Sequence, residues 1–218
     1  MATRIASAHS RKMGRIWSSL THLRYWAASN LQVMAAIDVA GFVADLKDHA
    51  VDHGFHVHDE RHFVETYSLR QAWEVDLHPE DGCGGPVDLH LSLDVDPRAL
   101  LAFEDALLGL PDDVDPPDEF HFPLVLTWSL PPLDHGPDLL RLAIDLAPVG
   151  GIDMPLEVTA IDTFASVTDG SERRITITAR HPISLARVAK GEDPLCDLFE
   201  RGRQISDFLL QAAESWLS

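Results

Sequence analysis

The sequence predicts an α+β domain: a mainly antiparallel sheet of about six to eight strands packed by helices, with a long C-terminal helix. Three observations carry this expectation. Helical periodicity follows Asp38, period-two alternation dominates the middle of the chain, and one apolar stripe at helical spacing runs from Leu195 to Trp216.

From Asp38, the positions Val39, Phe42, Val43, Leu46 and Ala50 recur at i, i+3 and i+4 and stop at Gly54, a suitable helix end. Residues 55–59, 63–69 and 72–77 read as short strands, and residues 79–86, with Gly82, Gly84 and Gly85, as a loop. Val87, Leu89, Leu91, Leu93 and Val95 then alternate with Asp88, His90, Ser92 and Asp94, which is the pattern of a half-buried strand. Asp96 followed by Pro97 supplies an N-cap and a first-turn proline for a helix reaching Gly109.

Residues 120–130 and 139–146 read as strands that would pair antiparallel across the Pro- and Gly-containing segment 131–137. Residues 156–167 and 173–179 flank Asp169-Gly170, a hairpin signal. With Ile161, Ala165 and Val167 taken as the inward set of the first strand, matching Ile175, Ile177 and Ala179 requires an even sum of paired residue numbers. A three-residue loop with Gly170 left-handed would supply it, whereas a two-residue turn would set Asp162 against Ile177. Asp193-Pro194 is a second Asp-Pro helix start, and Leu198, Phe199, Gly202, Ile205, Leu209 and Ala213 form the stripe expected to cover the sheet.

The chain has 218 residues, a 45% apolar share and a net charge of -18, enough apolar surface for a core without metal or disulfide staples. The charge is segregated. No acidic residue precedes Asp38, where Arg4, Arg11, Lys12, Arg15 and Arg24 lie, while residues 38–170 hold 28 acidic and 5 basic residues. Residues 1–33 therefore read as a basic amphipathic N-terminal arm, with Ile16, Leu20, Leu23 and Ala27 at helical spacing, and residues 34–218 as a single acidic α+β domain. Self-docking on the acidic body is the simplest reading of the arm, with contact to a membrane surface or a partner as alternatives. The field of the acidic body argues against direct nucleic-acid binding. Two cysteines and no apolar stretch of membrane-spanning length give the expectation of a soluble, cytoplasmic protein without a transmembrane segment.

The densest chemical feature is His49, His53, His56, His58 and His62, interleaved with Asp48, Asp52, Asp59 and Glu60. His49 and His53 share a helix face at i, i+4 and His56 and His58 a strand face at i, i+2, both metal-ligand spacings. A divalent transition metal such as zinc is the alternative to solvated or structural histidines with no cofactor. Asp112, Asp113, Asp115, Asp118 and Glu119 lack the glycine and terminal glutamate of a calcium loop and read as a solvated acidic stretch. Cys83 lies in an accessible glycine loop, but Glu80 and Asp81 beside it oppose a thiolate, and Glu192, Asp193 and Asp197 do the same for Cys196. Arg173, Arg174, Arg180, Arg187, Arg201 and Arg203, with Lys190, form a local basic reversal that suits an anion, an acidic partner or pairing with the chain's own acids.

Phosphate-binding glycine loops, the Gly-x-Ser-x-Gly elbow and the His-Glu-x-x-His motif are absent from the sequence. The expected function is a non-enzymatic interaction domain, adaptor- or chaperone-like, that binds a protein partner or assembles as a homo-oligomer. The alternatives are a metal-dependent hydrolase using the His49–His62 histidines, or a small-ligand-binding domain.

Overall fold

Polar-apolar alternation does not by itself say which strand neighbours which, and a computed structural model supplies that order. It describes residues 37–111, 113–134, 136–164, 166, 171–192 and 195–217. The N-terminal arm, the Asp169-Gly170 turn and the Asp193-Pro194 helix start lie outside the described residues, as do Asp112 and Ala165.

The described elements are helix α1 (Val39–Asp52), strands β1 (Phe55–Val64) and β2 (Gln71–Pro79), a 3-10 turn (Glu80–Gly82) and β3 (Asp88–Val95). Helix α2 (Pro97–Leu108), β4 (His121–Ser129), helix α3 (Leu139–Gly150), β5 (Leu156–Phe164), β6 (Ser171–Ser184), and helices α4 (Leu185–Lys190) and α5 (Leu195–Ala213) follow. The strands form one six-stranded sheet in the order β1-β2-β3-β4-β6-β5, antiparallel at every pairing. The fold is α+β, as the sequence predicts, with the long C-terminal helix in place.

Local chemistry explains the helix starts. Asp38, Asp96 and Asp138 each accept a backbone N–H of their own first turn, from Gly41, Arg98 and Arg141. Gly54, at φ +77°, turns the chain from α1 into β1, a conformation that favours glycine.

One face of the sheet is the core. Trp73, Val75 and Leu77 of β2, Leu89, Leu91 and Leu93 of β3, Leu124, Leu126 and Trp128 of β4, and Ile175, Ile177 and Ala179 of β6 are all buried there. Helix α5 lies over this face: Phe199 meets Phe55 edge to face at 6.1 Å, and the Trp128 indole N–H donates to Ser206 Oγ at 2.9 Å. Helices α1 and α3 flank α5, α1 against β1 and α3 against β5. Ile205, Leu209 and Phe199 fill the space between sheet and helix. The opposite face, carrying Glu74, Asp76, His90, Ser92, Thr127, Thr176 and Arg180, is not covered by any described residue and is half-buried to exposed.

Three local expectations are overturned. Residues 139–146 are helix, not strand: Asp138 caps them, Leu142, Leu146 and Gly150 are buried at i, i+4, i+8, and Leu140 and Ile144 face outward. Short apolar runs carry both periods, and here the cap decides. Residues 63–69 are no separate strand, because β1 continues to Val64 and Thr66–Ser68 are a turn, with Leu69 at φ 57°.

The β5–β6 register is also different. Val158 pairs with Ile177 and Ala160 with Ile175, an odd sum, so Leu156, Val158 and Ala160 form the inward set and Ile161 is exposed. The loop is longer than three residues, which sets Asp162 opposite Arg173, bonded at 2.6 and 2.8 Å, instead of against an isoleucine. Charge pairing at the strand end and burial of Leu156 and Val158 outweigh the tighter turn.

Candidate functional site

A β-bulge divides the histidines. Strand β1 keeps simple register with β2 from Phe55↔Pro79 to Val57↔Leu77 and resumes at Asp59↔Asp76, so His58 is an extra residue. The insertion reverses the side-chain phase. His56, opposite His78, faces the uncovered side, whereas His62, opposite the buried Trp73, faces the helical side and stacks on that indole at 3.9 Å. Glu60, opposite Val75, is on the helical side too and pairs with Lys47 of α1.

The five candidate histidines therefore do not converge. His49 Nδ1 contacts the Asp45 carbonyl at 2.8 Å on α1, His53 Nδ1 lies 3.6 Å from Glu200, and His62 Nε2 lies 3.0 Å from Gln71 Oε1. His56 and His58 meet Cys83 instead, the ligating atoms of all three lying within 4.8 Å of one another. The Cys83 Sγ to His58 Nε2 distance is 3.6 Å, and Glu80 Oε1 lies 3.7 Å from His56 Nε2. His78 packs its ring against His58 at 4.3 Å; its Nε2 lies 3.4 Å from Asp88, and its buried Nδ1 has no hydrogen-bond partner among the described residues.

The loop that delivers Cys83 is held in place by the C-terminal helix. Gly82 and Gly85 sit on Leu210, a Cβ on Gly82 coming to 2.7 Å from a Leu210 methyl. Arg203 donates to the Gly54 carbonyl at 2.7 Å and to Asp81 and Asp207 at 2.8 Å each, tying the start of β1, the 3-10 turn and α5 together.

The basic residues have divided roles. Arg173 is engaged with Asp162, Arg201 donates to the Gly150 carbonyl at 2.7 Å, Arg203 is the clamp above, and Lys190 bonds Asp115 of the acidic loop at 2.6 Å. Arg174 and Arg180 are exposed on the uncovered face without a carboxylate partner among the described residues, six positions apart along β6. Arg187, exposed on α4, lies near His181, whose pKa is pushed down by burial and then by this positive charge.

Asp76 is the electrostatic centre of the uncovered face. Burial opposes its ionisation, but the hydrogen bond with His90 at 2.7 Å and the Arg61 guanidinium at 2.9 Å outweigh that and hold its carboxyl below the usual range. Arg61 also bonds Asp59 at 2.8 Å and Glu74 at 3.1 Å, so one cation serves three carboxylates.

The two sheet edges differ. At one end β1 is bulged and carries Asp59, Glu60 and Arg61. At the other, β5 (LEVTAIDTF) keeps unbroken register with β6, and Ile161 and Phe164 are 65% and 77% exposed. Helix α3, packed on β5, adds Leu140 and Ile144, exposed by 71% and 57%. A shallow open depression lined by Phe63, Arg70, Gln71 and Asp94 marks the β1–β2 turn and offers no enclosure for a small ligand.

Strand order is invisible in the sequence, and so is this edge. Cys83 and His78 join the histidines only through the fold; the signal for them is the β1–β2 hairpin, whose pairing of His56 with His78 brings the residues after Pro79 back beside the start of β1. No family model matches the chain, and no curated protein or solved structure matches it.

Proposed function

We propose that the protein is a non-enzymatic interaction domain, adaptor- or chaperone-like, that binds an extended segment of a protein partner by adding it as a strand to β5. The observation that carries this reading is the asymmetry of the two edges. Natural sheets blunt their edges with bulges and charges, because an unpaired strand presents a row of free backbone donors and acceptors. Strand β1 has both devices, whereas β5 carries the charges Glu157 and Asp162, the latter paired with Arg173, but no bulge: its register is unbroken, with Ile161 and Phe164 exposed.

Strand addition draws affinity from main-chain hydrogen bonds and specificity from alternate side chains. The guest's side chains would meet Thr159, Ile161 and Thr163 on the uncovered face and the exposed Leu140 and Ile144 of α3 on the other side of the sheet. The acidic remainder of the surface keeps the free form soluble.

The test is a peptide array of random extended sequences probed with the wild type and with a variant carrying Ile161→Glu and Thr163→Lys. The introduced carboxylate would stand opposite Arg174 and the introduced ammonium opposite Glu172, so the substitutions blunt the edge while complementing β6. The wild type is expected to select peptides of alternating apolar residues, and the variant to lose at least about tenfold in affinity for them, roughly 1.4 kcal/mol. Unchanged selection by the variant, with light scattering showing the same mass for both, would remove β5 as the docking edge.

A further inference from the structure

We propose that His56, His58 and Cys83 bind one zinc-class divalent transition metal ion, which staples the bulge of β1 to the loop after β2. The set combines two imidazoles and a thiol, a donor chemistry that selects zinc-like ions over magnesium or calcium. Geometry supports it independently. A tetrahedral ion bonded to nitrogen at about 2.0–2.1 Å and to sulfur at about 2.3 Å holds those two atoms about 3.6 Å apart. That is the separation of Cys83 Sγ and His58 Nε2.

The local fold builds this site. The bulge lifts His58 out of the regular ladder beside His56 and turns His62, which an unbroken strand would have aligned with them, to the other face. Gly82 and Gly85 seat the cysteine loop on Leu210, and Arg203 clamps the preceding turn through Asp81 and the Gly54 carbonyl. Rigid support of this kind is what a coordination sphere requires. His78, packed on His58 with a buried Nδ1 that has no partner among the described residues, borders the set as an orienting neighbour.

Three protein ligands leave a fourth tetrahedral position, and Glu80, 3.7 Å from His56 Nε2, or a water completes it. Binding exchanges the Cys83 S–H bond for a sulfur–metal bond and releases the proton to solvent. Asp81 is compensated by Arg203, but Glu80 sets a carboxylate beside His56 to which a dication is attracted, so it favours the loaded state.

The full chain, with any affinity tag removed, is titrated with Co²⁺ alone under reducing conditions and followed by absorption. The expected result is one equivalent bound with a thiolate-to-cobalt charge-transfer band and tetrahedral ligand-field bands, displaced by one equivalent of Zn²⁺. Cys83→Ser abolishes the charge-transfer band, His58→Ala weakens the apparent affinity by at least about tenfold, and His49→Ala and His53→Ala leave both unchanged. Circular dichroism of Cys83→Ser, an exposed and nearly isosteric change, verifies that loss of the band is not loss of fold. A wild type without the band, or a band that survives Cys83→Ser and so belongs to Cys196, overturns the proposal.

Discussion

Arg203 of α5 donates to the carbonyl of Gly54, 149 residues earlier in the chain, at 2.7 Å. Gly54 is the left-handed residue between α1 and β1, and its carbonyl also accepts the N–H of Glu80 at 2.9 Å. One C-terminal guanidinium therefore fixes the first turn of the sheet and the loop that carries Cys83.

Replacing this guanidinium should cost stability. Arg203→Met keeps the apolar stem but removes the guanidinium's bonds to Asp81 and to the Gly54 carbonyl, which keeps only the Glu80 N–H, a loss of about 1–3 kcal/mol by the usual worth of hydrogen bonds to a charged group. In urea the midpoint is expected to fall with the slope unchanged. A change within about 0.5 kcal/mol would return Arg203 to the group of surface cations available for an anion.

The Trp128–Ser206 bond makes a second expectation. Both residues are fully buried, and Ser206 Oγ in turn donates to the Gly202 carbonyl at 2.9 Å. Ser206→Ala strands the indole N–H and is expected to cost about 1–3 kcal/mol. Trp128→Phe combined with Ser206→Ala should cost less than the sum of the single changes, since the pair is in contact. Strict additivity in a double-mutant cycle would contradict the bond's role.

Acid should loosen the uncovered face first. Asp76 has a folded-state pKa below its unfolded one, so its contribution is fully present above the unfolded value and is lost as pH falls through the folded value. The Asp76 side chain is 33% exposed, so screening limits the effect to about 1 kcal/mol or less. Arg61→Gln removes the cation shared with Asp59 and Glu74 and lets the folded-state value of Asp76 rise toward its unfolded one, so stability near neutral pH should fall and the acid-induced loss should become smaller. The measurement is thermal unfolding of both proteins as a function of pH; identical profiles would mean that Arg61 does not hold the three carboxylates.

His181 titrates with the opposite chemistry and the same direction of stability. Burial and the Arg187 charge lower its folded-state pKa, so the unfolded chain binds the proton first, and stability falls as pH drops from the unfolded value toward the folded one. His181→Gln is expected to flatten that part of the profile, which NMR titration of the His181 ring checks directly by a pKa below that of an unfolded peptide.

These expectations rest on contacts that are legible to different degrees in the sequence. Helix α1 and strand β3 are readable because their apolar residues keep one strict period over the whole element, and in α1 a cap and a stop agree with it. Helix α3 is not, since Leu139–Leu142 is too short a run to separate the two periods, and only its buried Leu146 and Gly150 continue the helical one. The register of β5 misleads because Ile161 is more apolar than Ala160, yet Leu156 and Val158 decide the inward face. For the histidines, spacing predicts a shared site for His56 and His58 but cannot show the bulge that excludes His62, nor the hairpin that brings in Cys83. Bulges and strand order are products of long-range pairing, and local patterns do not encode them.

Docking of a partner strand on the β5 edge is tested most directly by amide hydrogen exchange of the protein, free and with an excess of a peptide selected on the array. Backbone N–H groups that acquire an acceptor exchange more slowly. New protection is expected within β5, at Val158–Thr163, with little change in β1. Protection confined to the uncovered sheet face or to α2, with β5 exchanging as in the free protein, would rule out strand addition at this edge.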